Sequence, residues 1–212
     1  MAKLTFYYGT MSSGKTIDLI QTAYKYNSKG MKTIILKPKI DTKGDNKIVS
    51  RIGLSREVDI ILGSDESIFD YKDKLINITS LLVDEAQFLS EVQVKELFYL
   101  AKIMDINVIC YGLRNDFKGN LFKGSAMLFC LADNFEKLRS VCATYGCGNN
   151  ATYNARKING NYVLEGPQVL IGVDDEYDPL CTSCYIKKVL EPNSQEFQKV
   201  LKKINSIKGD KK

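Results

Sequence analysis

Gly9-Thr10-Met11-Ser12-Ser13-Gly14-Lys15-Thr16 fits the pattern G-x-x-x-x-G-K-[ST] at every fixed position. Before it, Leu4-Thr5-Phe6-Tyr7-Tyr8 is a short apolar, β-prone run that reads as a buried strand. After it, Ile17, Ile20, Ala23 and Tyr24 fall at helical spacing, and the segment from Ile17 to Lys29 stops at Gly30. Strand, glycine loop and helix together turn backbone N–H groups and a helix N-terminus onto phosphate. In this pattern Lys15 reaches the β- and γ-phosphates and the Thr16 hydroxyl ligates Mg²⁺. The stretch implies binding of a nucleoside triphosphate through Gly9 to Thr16.

Further along, Thr33-Ile34-Ile35-Leu36 completes a βαβ unit. The polar stretch from Lys39 to Arg51 shows no periodicity and reads as a mobile loop, and Val58 to Leu62 as a short strand. Ser80-Leu81-Leu82-Val83 then runs into Asp84-Glu85-Ala86-Gln87-Phe88. An apolar strand ending in an acid is the usual partner of a phosphate loop, because it sets a carboxylate beside the Mg²⁺ held by Thr16; Asp84 is the candidate. Ser90 and Gln93 form a capping box for a helix running to Met104. Asn107 to Tyr111 is a further buried strand, and Ser125 to Leu138 reads as another helix. Strands alternating with helices predict a parallel sheet covered on both faces, with ligands at the carboxyl ends of its strands.

The 212 residues suit one domain with a small appendage, long enough to bury a core unaided. No run reaches membrane-spanning length and no signal peptide opens the chain, so the expected compartment is the cytoplasm. From Lys187 onward, eight lysines against Glu191, Glu196 and Asp210 account for the whole formal net charge of +5. That places the basic character in a terminal tail rather than on a nucleic-acid-binding face. The chain has no histidine, so proton transfer falls to carboxylates and zinc ligation to cysteine or carboxylate.

From Val141 the texture changes. A C-x4-C pair, Cys142 and Cys147, and a C-x2-C pair, Cys181 and Cys184, match a four-thiolate zinc site. Such a site is structural, since four protein ligands leave no open position, and it holds together a segment too small for its own core. Between the pairs, Asn159-Gly160 lies between apolar runs and predicts a two-residue β-hairpin turn. Gly166 to Pro179 reads as a long loop, and the tail, with Phe197, Val200, Leu201 and Ile204, as a weak amphipathic helix or loose chain. Cys110 and Cys130 read as core.

Taken together, the phosphate loop, the Asp84–Phe88 turn and the cysteine-held hairpin resemble the zinc-containing thymidine kinases of the cellular cytosolic type. The resemblance spans Lys3 to about Lys188 and leaves out the tail. It implies a P-loop α/β nucleotide-binding domain over 1–139, a zinc-binding lasso domain over 140–190 and a basic tail over 191–212. It also implies that Glu85 is the general base toward the nucleoside 5′-hydroxyl. Phe88, Leu113, Phe117, Phe122 and Met11 match the thymine pocket, Ile171 and Tyr177 nucleoside-contacting positions in the lasso, and Arg156 a position associated with phosphate. Asp41 and Lys43 match a flexible-loop motif. The family uses ATP with Mg²⁺, forms homotetramers and is inhibited by thymidine triphosphate. This sequence departs from the pattern in three places: two extra residues in the first cysteine pair, Cys184 where some relatives have His, and Lys43 where Arg is common.

Two rivals stand beside this reading. Asp84-Glu85-Ala86-Gln87 also resembles the acidic motif of helicases, which suggests a nucleic-acid-dependent P-loop ATPase with a zinc hairpin. Such motors use two recombinase-like domains, and no second one fits in this length. A zinc-ribbon adaptor leaves the phosphate loop and its carboxylate partner unexplained.

Overall fold

The computed structural model describes residues 1–169 and 176–209, which form two units. The first comprises Met1–Asn115 and Asn120–Ser140, the second Asp116–Gly119 and the chain from Val141 onward.

The first unit opens with strand β1 (Leu4–Tyr8) and helix α1 (Lys15–Asn27), followed by β2 (Thr33–Pro38). A small antiparallel pair, β3 (Lys47–Val49) and β4 (Ser55–Glu57), precedes β5 (Ile60–Leu62). A 3-10 turn at Ile68–Tyr71 leads through the short α2 (Lys72–Leu75) to β6 (Ser80–Val83). After a second 3-10 turn at Ala86–Phe88 come α3 (Glu91–Lys102), β7 (Asn107–Gly112), α4 (Lys123–Leu131) and β8 (Asn134–Lys137). Six strands make one parallel sheet in the order β5-β2-β6-β7-β1-β8.

Alternation along each strand sorts side chains to two cores, as a pleat of period two requires. Leu4, Phe6, Leu36, Leu81, Val83 and Val108 face one layer with Val94, Leu97 and Leu100 of α3. Ile35, Leu82, Ile109 and Tyr111 face the other, against Leu19 and Ala23 of α1. Both faces are therefore apolar, which explains why these strands read as nearly continuous hydrophobic runs. The carboxyl ends of β1, β2, β6 and β7 carry the phosphate loop, Lys37, Asp84 and Leu113.

Three expectations for this unit are corrected. The stretch from Lys39 to Arg51 is not a featureless loop: it contains β3, whose Ile48 is buried in the α1-side core. The helix expected over Ser125–Leu138 ends at Leu131, and Asn134–Lys137 is an edge strand parallel to β1. Tertiary contacts decide this: the Asp133 carboxylate accepts the Leu4 N–H at 2.8 Å and pairs with Lys102 at 2.5 Å, which turns the chain onto the sheet edge. Cys130 is exposed rather than core, whereas Cys110 is buried.

The second unit is built on an antiparallel sheet of β9 (Tyr153–Ile158), β10 (Asn161–Val163) and β11 (Glu176–Leu180), in the order β10-β9-β11. Asn159 and Gly160 both have positive φ, 50° and 79°, the geometry a two-residue hairpin with this right-handed twist demands. β11 replaces the end of the loop expected to reach Pro179. Beyond it lie α5 (Thr182–Tyr185), a π-helical stretch at Ile186–Leu190, α6 (Glu191–Asn193) and α7 (Gln195–Gly209), which makes the tail a helix. Cys142, Ala155, Leu180, Cys181, Tyr185 and Val189 form the core of this unit, where Tyr153 stacks on Tyr185 at 4.3 Å. Asp116–Gly119 joins this unit through Phe117, whose carbonyl accepts the Tyr185 hydroxyl at 2.6 Å.

Gly124 shows how tightly α4 is set against the Ala86–Phe88 turn. A Cβ there would lie 2.6 Å from the Ala86 carbonyl oxygen, 2.9 Å from that of Gln87 and 2.8 Å from that of Leu89. All three atoms are backbone, so nothing can swing aside. Gly124→Ala is expected to cost roughly 1–3 kcal/mol in denaturant unfolding. Unchanged stability in that measurement would contradict the close approach of α4.

Candidate active site

The phosphate loop closes on itself. Gly14 sits at φ 82°, a left-handed conformation that glycine adopts without a Cβ clash, and it launches α1. The Gly9 N–H reaches the Gly112 carbonyl at 3.3 Å, and the Thr10 hydroxyl lies 2.5 Å from that of Ser140. Lys15 is buried and donates to the Thr10 carbonyl at 2.9 Å, an internal contact that a phosphate would replace. Burial holds Lys15 below its usual pKa; Glu85 and Asp84 oppose that, and Arg51 adds to it. The Ser13 hydroxyl is buried without a partner.

Asp84, at the end of β6, is 3% exposed and accepts from the Thr16 hydroxyl at 3.2 Å. Its pKa rises from 3.8 to about 7, through burial first and the neighbouring Glu85 second. A buried carboxylate beside a second acid and a loop hydroxyl suits a divalent cation, whose charge offsets both effects. Thr16 and Asp84 are the residues that would hold magnesium, and the ion would supply charge neutralisation on the phosphates.

Glu85 follows at φ 48° and ψ 38°, a left-handed conformation that a non-glycine residue adopts only when its surroundings impose it. The surroundings are visible. Its N–H donates to Asp84 Oδ1 at 3.1 Å, and Gln87 Nε2 donates to Glu85 Oε2 at 2.5 Å. Gln87 Oε1 in turn accepts the Leu113 N–H at 2.9 Å. One buried amide thus fixes both the carboxylate and the first residue after β7. The sequence pattern assigns Gln87 no role; its position two residues after Glu85 is the one local signal for this contact.

A cavity of about 440 Å³ lies against these groups, lined by Met11 to Ile17, Asp41, Lys43, Val49 to Ile52, Glu85, Gln87, Phe88 and Leu113. Phe122 is not among the lining residues; its ring packs edge to face on that of Phe88 at 5.9 Å. Lys37, which no sequence motif singles out, is 1% exposed and donates to the carbonyls of Lys43 at 2.9 Å and Lys47 at 3.3 Å and to Asp41 at 3.4 Å. It ties the loop bearing Asp41 and Lys43 to the end of β2.

A family model described as thymidine kinase matches residues 2–185. The thymidine kinase of Rhodopirellula baltica is 41% identical over 193 residues, covering 85% of this chain and 86% of that protein. That of Shewanella oneidensis is 39% identical over 193 residues, with 85% and 95% covered, and that of Coxiella burnetii 41% over 187 residues, with 85% and 93% covered. The chain belongs to the thymidine kinase family. Among solved structures, Bacteroides Pif1 bound to ssDNA aligns at a TM-score of 0.37 and 14% identity, covering 64% of this chain and 38% of that one.

In this thymidine kinase family member the second unit carries the other constellation. The Sγ atoms of Cys142, Cys147, Cys181 and Cys184 all lie within 4.8 Å of one another, and Cys147 is 3.7 Å from both Cys181 and Cys184. Those separations far exceed a disulfide bond, about 2.05 Å. They match the edge of a thiolate tetrahedron around zinc, about 3.8 Å for Zn–S bonds of about 2.3 Å. Burial pushes the Cys142 thiol up, yet hydrogen bonds from the backbone at Cys181 and Thr144 outweigh it and bring the thiol down to about 6. The donor set fits a closed structural metal site. Of the remaining candidates, Arg156 is 1% exposed, donates to the Pro167 carbonyl at 3.1 Å and lies 5.0 Å from the buried Phe117 ring. Tyr177 sits in β11, paired with Arg156 of β9, and Ile171 lies outside the described residues.

Asp84 also sets a pH dependence. Its folded-state pKa lies above the ordinary 3.8, so the metal-free protein holds this proton more tightly than the unfolded chain does. Burial of the carboxyl is tolerated at low pH and becomes costly as the pH rises toward 7. Asp84→Asn is therefore expected to stabilise the metal-free, nucleotide-free protein by a few kcal/mol at pH 8 and by almost nothing at pH 4. Denaturant unfolding at both pH values reads this difference, and an equal effect at the two would contradict it.

Proposed function

We propose that this protein transfers the γ-phosphoryl group of ATP to the 5′-hydroxyl of thymidine, giving thymidine monophosphate, and accepts deoxyuridine as well. One observation carries the reading: the Thr16–Asp84 pair beside Lys15, with Glu85 held toward the same cavity by Gln87. Gly9 to Thr16 cradle the triphosphate, and Lys15 exchanges the Thr10 carbonyl for phosphate oxygen. Thr16 and Asp84 hold the magnesium ion. Glu85 accepts the proton of the 5′-hydroxyl as its oxygen bonds to the γ-phosphorus and the bridging oxygen leaves with ADP. The left-handed backbone of Glu85 and its bond to Gln87 fix where that proton goes. Such positioning is most of what phosphoryl transfer asks of a protein.

Met11, Phe88 and Leu113 line the cavity and form an apolar wall for the base, backed by Phe122. Phe117, Tyr177 and Ile171 are the nucleoside-contacting positions assigned by resemblance, and Arg156 a phosphate-associated one. The four cysteines hold structural zinc. Family resemblance supports four further parts of the reading: a lasso domain over 140–190, homotetrameric assembly, feedback inhibition by thymidine triphosphate, and a cytoplasmic location. No helix among the described residues is long and apolar enough to cross a membrane.

The two substrates differ by one methyl group, worth about 1–3 kcal/mol in an apolar pocket, so both turn over. Glu85→Gln keeps shape and hydrogen bonding but removes basicity. Steady-state assays with thymidine are expected to show kcat lower by on the order of 10²–10⁴-fold, with the nucleoside KM little changed. Near-normal kcat would remove Glu85 from the chemistry. ATP hydrolysis stimulated by single-stranded DNA, with no product from thymidine, would favour the helicase-like rival instead.

Metal analysis of fresh protein should find about one zinc per chain. Cys181→Ser should lose it together with the packing of the second unit, whose core includes Cys142 and Cys181. Zinc-free protein that still binds thymidine normally would refute that assignment.

A further inference from the structure

Arg51 takes none of the phosphoryl-transfer roles given above, yet the fold delivers it to the phosphate loop. It lies in the turn between β3 and β4, beside Gly53 at φ 87°, and its Nη1 donates to the Ser12 hydroxyl. Ser12 is itself in a left-handed conformation, φ 62°, within the loop. Arg51, Lys43 and Lys15 all line the same cavity, together with Ser50, whose hydroxyl is buried without a hydrogen-bond partner.

The hairpin is anchored at its root. Lys37 binds the carbonyls of Lys43 and Lys47, and Ile48 is buried in the core beneath. The Ser50 N–H and the Leu54 carbonyl close its tip at 2.8 Å. Of the two carboxylates that line the same cavity, Asp41 is paired with Lys37 and Glu85 is held by Gln87, so the three cations and the orphan hydroxyl call for an anion with several oxygens. A lone guanidinium on a loop hydroxyl would gain little, because that contact trades water for a neutral acceptor.

We propose that Arg51 is a catalytic arginine supplied from the protein's own β3–β4 hairpin, contacting the γ-phosphoryl group during transfer, with the Ser50 hydroxyl as an additional donor. This rests on the kinase reading above. In the reaction the 5′-oxygen forms its bond to phosphorus, the bond to the β–γ bridging oxygen breaks, and that oxygen departs with the electron pair on ADP. The proton goes to Glu85. Arg51 exchanges no proton; its planar fork neutralises charge on the equatorial oxygens as the group moves between the two others. Ser12 holds the guanidinium at the loop until the phosphate arrives. Lys15 donates to the Thr10 carbonyl within the loop, whereas Arg51 comes from the hairpin, so the two cations reach the cavity from different elements.

The test compares wild-type protein with Arg51→Ala, Arg51→Gln and Lys15→Ala, using thymidine turnover and direct calorimetric binding of a non-hydrolysable ATP analogue with magnesium. Wild-type turnover reports on the kinase reading by itself; if thymidine is not phosphorylated, both readings fall. With turnover established, Arg51→Ala is expected to lower kcat by on the order of 10²–10⁴-fold while analogue affinity changes less than about threefold. Arg51→Gln retains a donor for Ser12 without the charge, and is expected to lose as much. Lys15→Ala should lose both affinity and turnover, which marks the contrast. A kcat within threefold of wild type for Arg51→Ala, a loss matched by lost analogue affinity, or restoration by Gln would each overturn the proposal and leave the thymidine kinase reading standing.

Discussion

The hydrogen bond from the Thr16 hydroxyl to Asp84 joins the start of α1 to the end of β6, and much of the first unit exists to make that meeting possible. Its difficulty is electrostatic. Asp84 is nearly without solvent, Glu85 is adjacent, and the cation of the loop itself, Lys15, is buried. Burial disfavours the charged form of each, so the site holds opposing charges that water does not stabilise. A magnesium–triphosphate complex would bring both a dication for the acids and oxygens for the lysine. Such a ligand would satisfy both sets of groups at once.

Around this pair the remaining polar contacts act as spacers. Gln87 reaches both Glu85 and the backbone of Leu113, so the strand ends β6 and β7 are kept in register at the site as well as through the sheet. Lys37 does the same for the loop after β2, offering one buried ammonium to two carbonyls and a carboxylate. Removing either partner of such an arrangement leaves a buried polar group unpaired, which costs more than the bond contributed. Gly124 completes the frame by letting α4 approach the carbonyls of the Ala86–Phe88 turn. The strained backbone at Glu85 persists because these contacts over-determine it.

The second unit solves a different problem. Its core is small, and two of its six buried apolar members are cysteines of the four-sulfur cluster. A segment of that size gains from metal ligation what a larger domain gains from buried area. Stacking of Tyr153 on Tyr185 and the Arg156 guanidinium over the Phe117 ring extend the packing to groups that are only partly apolar.

Local sequence determined the parallel α/β core, the phosphate loop, the acid after β6, the Asn159-Gly160 hairpin and the pairing of the cysteines. Each of these depends on residues close in the chain: a glycine at a required φ, an apolar run of strand length, a thiol spacing. Tertiary structure alone decided the rest. Asn134–Lys137 carries no strand pattern and became an edge strand because Asp133 binds the Leu4 N–H and Lys102, both more than thirty residues away or on another element. The stretch around Ile48 looked featureless because a single buried residue shows no periodicity. Gln87 reaches Leu113 and Arg51 reaches Ser12 across sequence separations that no local pattern records, and Lys37 finds its nearby carbonyls only once the loop folds back over it. Period, propensity and spacing are properties of neighbours in sequence, whereas a buried charge finds its partner only after the chain has closed around it.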